Sequence, residues 1–185
     1  MLAASEIAVV GGGPAGAIVA IRLAELGHDV VLLEGVHFPR PHVGEALTPG
    51  VGEQLAFLKL GDVLDSALAH RTSEFELRWR TDSFESYRTT QPGLLVERGI
   101  FDAGLVAAAR RRGVRLLEAT RARIAERVAG CWRIACDSRQ GTLVVTAALV
   151  IDAGGRRGLL PKRRHKQYGL LAIYGRLRGL RLPNC

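Results

Sequence analysis

Residues 7–34 read IAVVGGGPAGAIVAIRLAELGHDVVLLE. The apolar run Ile7-Ala8-Val9-Val10 suits a buried parallel strand with helices on both faces. Gly11, Gly13 and Gly16 follow in G-x-G-x-x-G spacing. A helical pattern comes next, with Ile18, Ile21 and Ala24 on one face and Ala17, Leu23 and Leu26 on an overlapping one. Gly27 ends it, and Val30-Val31-Leu32-Leu33 forms a second strand closed by Glu34. The stretch is a complete βαβ unit.

Each residue type has a physical task. Gly11 permits the tight turn out of the strand, Gly13 lets backbone approach a pyrophosphate, and Gly16 lets the helix pack close to the sheet. Pro14 fits the first helical turn, and Ala15 follows it there, where a missing N–H costs no intrahelical bond. The helix start offers free N–H groups and the positive end of its dipole to a diphosphate. Glu34 lies about 20 residues on, where a carboxylate accepts hydrogen bonds from ribose hydroxyls. A 2′-phosphate would meet it as a like charge. Strand, glycines, helix, strand and acid arrive in the order that a dinucleotide site requires.

The chain has 185 residues, enough for one core, and is 48% hydrophobic, which excludes a disordered tail. No apolar run is long enough to span a bilayer. Glu6 interrupts the N-terminus and the strand follows at once, which argues against a signal peptide. Cys131, Cys136 and Cys185 show no metal spacing, and Cys131 and Cys136 would face opposite ways on one strand. A reducing, cytoplasmic protein without a structural metal is expected. The net charge of +8 comes in clusters: Arg110-Arg111-Arg112, Arg156-Arg157, and Lys162-Arg163-Arg164 with Lys166. The first suits a helix C-terminus. The others suit an acidic protein partner or an anionic cofactor. No aromatic interleaving or known motif supports nucleic-acid binding.

Beyond Glu34, Gly35–Gly44 reads as a loop, and Thr48 or Pro49 opens a helix stopped near Gly61. Asp62 is placed to cap a short helix through Leu68. Phe75, Leu77 and Trp79 alternate with charged residues as a half-buried strand, with Phe84 and Tyr87 in its antiparallel partner. Gln91-Pro92-Gly93 is a turn before a short strand at Leu94–Val96. A helix over Phe101–Arg112 carries Asp102 in its first turn. Val114–Leu117 is a buried strand. Arg121–Val128, Cys131–Cys136 and Thr142–Thr146 form a meander, Leu149–Asp152 a separate last core strand, and Gly169–Leu177 one more. The order predicts an α/β, doubly wound, Rossmann-like sheet with inserted antiparallel β layers.

The segments GGGPAG with its following Glu34, FPRPHVGEAL (38–47), LLVERGIFDAGL (94–105) and VIDAGGR (150–156) carry a resemblance. Together they resemble the flavin-dependent monooxygenases and halogenases, the FAD superfamily of p-hydroxybenzoate hydroxylase and tryptophan halogenase. The PR-x-H-x-GE loop looks like the halogenase-type branch, which includes enzymes that modify tryptophan in peptides. The resemblance implies that Gly11, Gly13, Pro14, Ala15 and Gly16 hold the FAD pyrophosphate and Glu34 the adenosine ribose. It places Arg40 near the adenosine or diphosphate, Gly44 and Glu45 beside the flavin, and Arg98 within reach of FAD. Asp152, Ala153, Gly154 and Gly155 would turn against the adenosine end. The plainer alternatives are surface roles for Arg40 and Arg98, a helix cap for Glu45, a solvated His42, and an Asp152 that only closes its strand.

Two departures qualify the resemblance. The halogenase branch has a lysine eight positions before a tryptophan; aligned through Trp79, that position is Arg71. A guanidinium stays protonated and forms no amine adduct, so oxygenation is expected over halogenation. The family's second flavin motif, a Gly-Asp, normally comes well beyond residue 185, and nothing in the tail Arg178–Cys185 resembles it, so the chain is expected to be the front half of a longer enzyme. The implied division is 1–70 for the FAD-binding βαβ unit and flavin loop and 71–97 for part of a substrate-side sheet. Residues 98–160 would complete the FAD-binding domain with its meander, and 161–185 would begin a truncated substrate domain. The implied activity is FAD-dependent hydroxylation of an aromatic or indole group, free or in a peptide, through a flavin C4a-hydroperoxide. O2 is a co-substrate, and NAD(P)H or reduced flavin is the transient donor. The rivals are a geranylgeranyl-reductase-like flavin reductase, a halogenase, and a non-catalytic nucleotide-binding module. No catalytic side chain stands out.

Overall fold

The computed structural model describes residues 2–78 and 82–159. Trp79, the Lys162–Lys166 cluster, the expected strand at Gly169–Leu177 and Cys185 lie outside them. The first strand, β1 (Leu2–Val10), starts before its apolar run. Leu2–Ser5 pair in parallel with Val144–Ala147, so a neighbour extends a segment of weak intrinsic strand signal. Helix α1 (Pro14–Glu25) and strand β2 (Val30–Leu33) follow as expected, and Ile7–Val10 pair in parallel with Val30–Leu33. Gly27, at φ 92°, takes the left-handed conformation just past the helix.

Then come β3 (Glu45–Leu47), α2 (Gly50–Phe57), α3 (Gly61–Ala67), β4 (Leu68–Leu77) and β5 (Glu85–Val96). Helix α4 (Arg98–Arg111) leads to β6 (Arg115–Leu117), β7 (Arg121–Val128), β8 (Cys131–Ser138), β9 (Gly141–Asp152) and a 3-10 turn at Gly155–Arg157. A six-stranded sheet runs β6-β2-β1-β9-β8-β7, and a three-stranded one runs β3-β5-β4. In the larger sheet β6, β2, β1 and β9 are parallel, and β8 and β7 join antiparallel.

Several elements differ from the sequence reading. Thr142–Thr146 and Leu149–Asp152 are one continuous strand, β9, whose first half pairs with β8 while Val144–Asp152 lie along β1. Ala147 and Ala148, weak strand formers, are carried through by these partners. Gln91-Pro92-Gly93 is no reversal. The β4–β5 register jumps from Glu74↔Arg88 to Thr72↔Gly93, so the extra residues bulge out of one long strand. Pro92, with no N–H to give, falls in that bulge. The predicted half-buried strand β4 is exposed at Glu74, Glu76 and Leu77 alike. Asp62 is not a cap; Leu60 occupies that position without a side-chain bond. Helix α4 starts at Arg98, which moves Asp102 out of the first turn and into the interior.

Alternation along β1 divides the core. Ile7 and Val9 join α1, α3 and α4 through Ala17, Ala20, Ile21, Val63, Phe101 and Leu105. Ala8 and Val10 face the other way, with Val31, Leu33, Ile134, Cys136, Val145 and Val150. Among the described residues all four helices pack on the first side, and strand residues fill the second. The sheet order fits the doubly wound expectation, and among the described residues the helices lie on one face. Cys131 is exposed and Cys136 buried, as their spacing predicts. No helix among the described residues is long and apolar enough to cross a membrane.

Candidate cofactor site

The carboxyl ends of β1, β2 and β9 meet at one crevice. The Gly11 N–H donates to Leu33 O at 2.8 Å, and the Ala153 N–H donates to Val10 O at 2.8 Å. Gly11 has φ 105°, and a Cβ there would lie 2.6 Å from Ala153 O. A Cβ on Gly16 would lie 1.9 Å from Gly11 O, so only glycine lets α1 sit this close to the turn. Gly13 is the N-cap of α1, Pro14 follows it, and no acidic residue stands in the first turn. The first N–H groups of a helix have no intrahelical acceptor. No acid of their own turn competes for them, which suits a diphosphate.

Glu34 is 8% exposed and reaches this turn directly. The Gly12 N–H donates to its Oε2 at 2.8 Å, and the Val36 N–H to its Oε1 at 3.2 Å. Arg40 arrives from the following loop, with Nη1 3.4 Å from Glu34 Oε2. Its Nη2 lies 3.3 Å from where a Cβ on Gly13 would be. The loop is fixed from below: the Phe38 N–H donates to Glu118 Oε1 at 3.0 Å, and the Thr120 N–H to Glu34 O at 2.8 Å. Phe38 lies under the Arg40 guanidinium at 5.4 Å.

Arg98, 9% exposed, opens α4 and binds Asp102 one turn on, with Nε–Oδ1 2.9 Å and Nη2–Oδ2 3.1 Å. Its Nη1 binds Glu45 on β3. The bond to Asp102, ahead of that to Glu45, raises the Arg98 pKa above the usual guanidinium value, although burial opposes it. Asp102 also accepts Arg40 Nε at 3.1 Å and Nη2 at 2.8 Å. Glu45 therefore neither caps α2 nor stands alone; it belongs to a strand and an ion pair. Asp152 accepts the Gly154 N–H at 3.0 Å, a bond that closes the turn beyond β9. Gly44 lies in the loop entering β3, where a Cβ would be 3.2 Å from Val96 O. His42 is exposed, its Nδ1 2.9 Å from Val43 O.

The structure thus brings Gly11, Gly13, Pro14, Ala15, Gly16, Glu34 and Arg40 to one crevice, with Asp152 and Gly154 at its β9 side. Arg98 joins them through Asp102, and Glu45 through Arg98. Sequence reasoning missed Asp102, although its i,i+4 spacing from Arg98 was a signal for an ion pair. It also missed Glu118, whose partner lies across the loop. The Arg110–Arg112 cluster is met by acids of the same chain: Glu118, Asp62 and Glu25.

Residues 6–162 match the sequence profile of the FAD dependent oxidoreductases. Menaquinone reductase of Mycobacterium tuberculosis is 30% identical over 182 residues, 92% of this chain and 42% of its own length. The structure of CmlS, a flavin-dependent halogenase, matches at TM-score 0.74 and 30% identity, covering 83% of this chain and 30% of that one. QhpG, a peptidyl tryptophan dihydroxylase essential for tryptophylquinone cofactor biogenesis, matches at TM-score 0.69 and 30% identity, covering 88% of this chain and 35% of that one. The chain spans about two fifths or less of the length of the curated relatives it matches. With a glycine turn, a helix start and an acid at one crevice, and a profile match over most of its length, this chain belongs to the FAD-dependent oxidoreductase family.

Proposed function

We propose that this chain is the FAD-binding part of a monooxygenase that hydroxylates an electron-rich aromatic or indole group, in a small molecule or a peptide. The observation that carries the cofactor half of this reading is the Gly12 N–H on the Glu34 carboxylate, beside a helix start with no acid of its own. In this reading Gly11, Gly13, Pro14, Ala15 and Gly16 cradle the diphosphate, and Glu34 accepts the ribose hydroxyls. Arg40 balances phosphate charge. Gly44, Glu45 and Arg98 serve the flavin side, and Asp152 and Gly154 close the adenosine side. Residues 1–70 and 98–160 then form the FAD-binding part, and 71–97 the substrate-side sheet. FAD, when bound, supplies the redox chemistry that takes electrons from NAD(P)H or reduced flavin and delivers them to O2. The chain's own residues bind, orient and exclude water.

Arg71 favours oxygenation over halogenation. It is exposed on β4 opposite Leu94, where the resemblance places a lysine. The likeness to a peptidyl tryptophan dihydroxylase supports an indole in a peptide as the substrate class. A second reading, reduction of a quinone or lipid chain, is favoured by the match to menaquinone reductase. The test is NAD(P)H oxidation by the protein that carries this chain, with O2 uptake and product mass followed together. An aromatic product gaining oxygen supports hydroxylation. A product gaining chlorine or bromine moves the assignment to halogenation, and acceptor reduction without O2 uptake moves it to the reductase. A colourless purified chain whose melting temperature ignores added FAD ends the cofactor reading.

A further inference from the structure

Asp102 is 0% exposed, and Glu34 is the other buried acid among the described residues. Its two oxygens accept four N–H groups: Arg98 Nε and Nη2 at 2.9 and 3.1 Å, and Arg40 Nε and Nη2 at 3.1 and 2.8 Å. Oδ2 takes three of the four and Oδ1 one, and with the side chain fully buried behind two guanidinium groups the carboxylate faces the arginines rather than a ligand. Both arginines dock through the same pair of nitrogens. Each therefore turns its remaining Nη1 outward, Arg40 toward Glu34 at the end of β2 and Arg98 toward Glu45 on β3. These acids stand at separate parts of the crevice, one at the glycine turn and one on the three-stranded sheet.

The Arg98–Asp102 pair alone would satisfy α4. Arg40 is different: it comes from a loop 62 residues away in sequence, and its Nη2 lies 3.3 Å from where a Cβ on Gly13 would be. We propose that Asp102 is a positioning residue for cofactor binding, which orients Arg40 toward the glycine turn and Arg98 toward β3 without touching the cofactor. The proposal rests on the FAD reading. It differs in sign from simple electrostatics, because removing a negative charge near an anionic ligand should tighten binding. Loss of orientation should weaken it.

The experiment measures FAD affinity by flavin fluorescence, and ADP affinity by competition, on the purified chain. The set is wild type, Asp102→Asn, Asp102→Glu, Arg40→Ala, Arg40→Lys and the Asp102→Asn/Arg40→Ala double variant. Asp102→Asn should weaken FAD and ADP about tenfold, the value of a charged hydrogen bond. Asp102→Glu should recover part of that loss. In the Arg40→Ala background Asp102→Asn should change ADP affinity by no more than about twofold. Unchanged or tighter FAD binding by Asp102→Asn overturns the proposal, as does an equal ADP loss with Arg40 absent. If Asp102→Asn does not fold, Arg40→Lys decides, since lysine keeps the charge but not the fork. Wild-type ADP affinity in Arg40→Lys is then the overturning result. A wild-type chain that binds no FAD removes the cofactor reading and this proposal together; one that binds it while Asp102→Asn is unaffected removes only this.

Discussion

The Gly12 N–H and the Glu34 carboxylate meet at 2.8 Å across the β1–α1 turn. One side chain thus supports the glycine turn and, in the proposed reading, also accepts the ribose hydroxyls. These two tasks separate by mutation. Glu34→Gln keeps an acceptor for Gly12, so its melting temperature should stay close to wild type while FAD affinity falls about tenfold. Glu34→Ala leaves the Gly12 N–H without its partner and should cost about 1–3 kcal/mol of stability as well. Thermal unfolding beside an FAD titration checks both. Equal stability in the two variants would refute the division.

The glycines of α1 and α2 should respond in opposite ways. Gly16→Ala puts a methyl 1.9 Å from Gly11 O, so α1 must move off the turn. We expect a loss of more than about 2 kcal/mol and no measurable FAD binding. At the start of α2, a Cβ on Gly50 meets nothing within 4 Å. Gly50→Ala should gain up to about 1 kcal/mol, because alanine is the better helix former. Denaturant midpoints for the pair read this directly.

Helices α3 and α4 cross at Gly104, where a Cβ would be 2.7 Å from Val63 Cγ1. Valine is stiff at χ1 and cannot swing away. Gly104→Ala should cost about 1–3 kcal/mol, and Val63→Ala in the same chain should recover part of it. A double-mutant cycle by urea unfolding measures the coupling. Additive losses would show that the crossing is looser than drawn.

Burial pushes the Cys136 thiol up to about 11 from an ordinary 9.0, with Asp137 adding to the rise. Its folded pKa is raised, so the contribution is fully present below about pH 9 and is lost as the pH climbs toward 11. Stability measured across that window should fall more steeply in wild type than in Cys136→Ala. Parallel profiles would contradict the assignment. At neutral pH, Cys131, exposed on the same strand, should alkylate well before Cys136.

The legible parts of this chain were those decided by neighbours in sequence. Residues 7–34 combine a strand run, three spaced glycines, a helical period and an acid, and every one of these signals is local. The turns at Ala129-Gly130 and Gly141 are equally local, and all three residues take positive φ. What failed depended on distant partners. Glu45–Leu47 is a strand because β5 pairs with it, and Pro92 sits inside a strand because the register bulges around it. Asp102 read as a helix-start acid, yet its burial is set by Arg40, 62 residues back. Gly11, Gly13, Gly16 and Glu34 were legible from local pattern, while Arg40, Gly44, Glu45, Arg98, Asp152 and Gly154 were named through the resemblance alone. The ion-pair wiring was not legible, because it is long-range chemistry.

Strand β9 ends at Asp152, at the mouth of the crevice, and begins at Gly141 in the hairpin with β8. It is a single rigid ruler. A one-residue slip of that hairpin would turn Val145 and Ala147 from the interior toward solvent. The same slip would drag Ala153 and Gly154 about 3.3 Å along the strand axis, away from Gly11. The distant meander therefore works as an alignment gauge, and an error in its register should spoil the strand-side core and the shape of the mouth together.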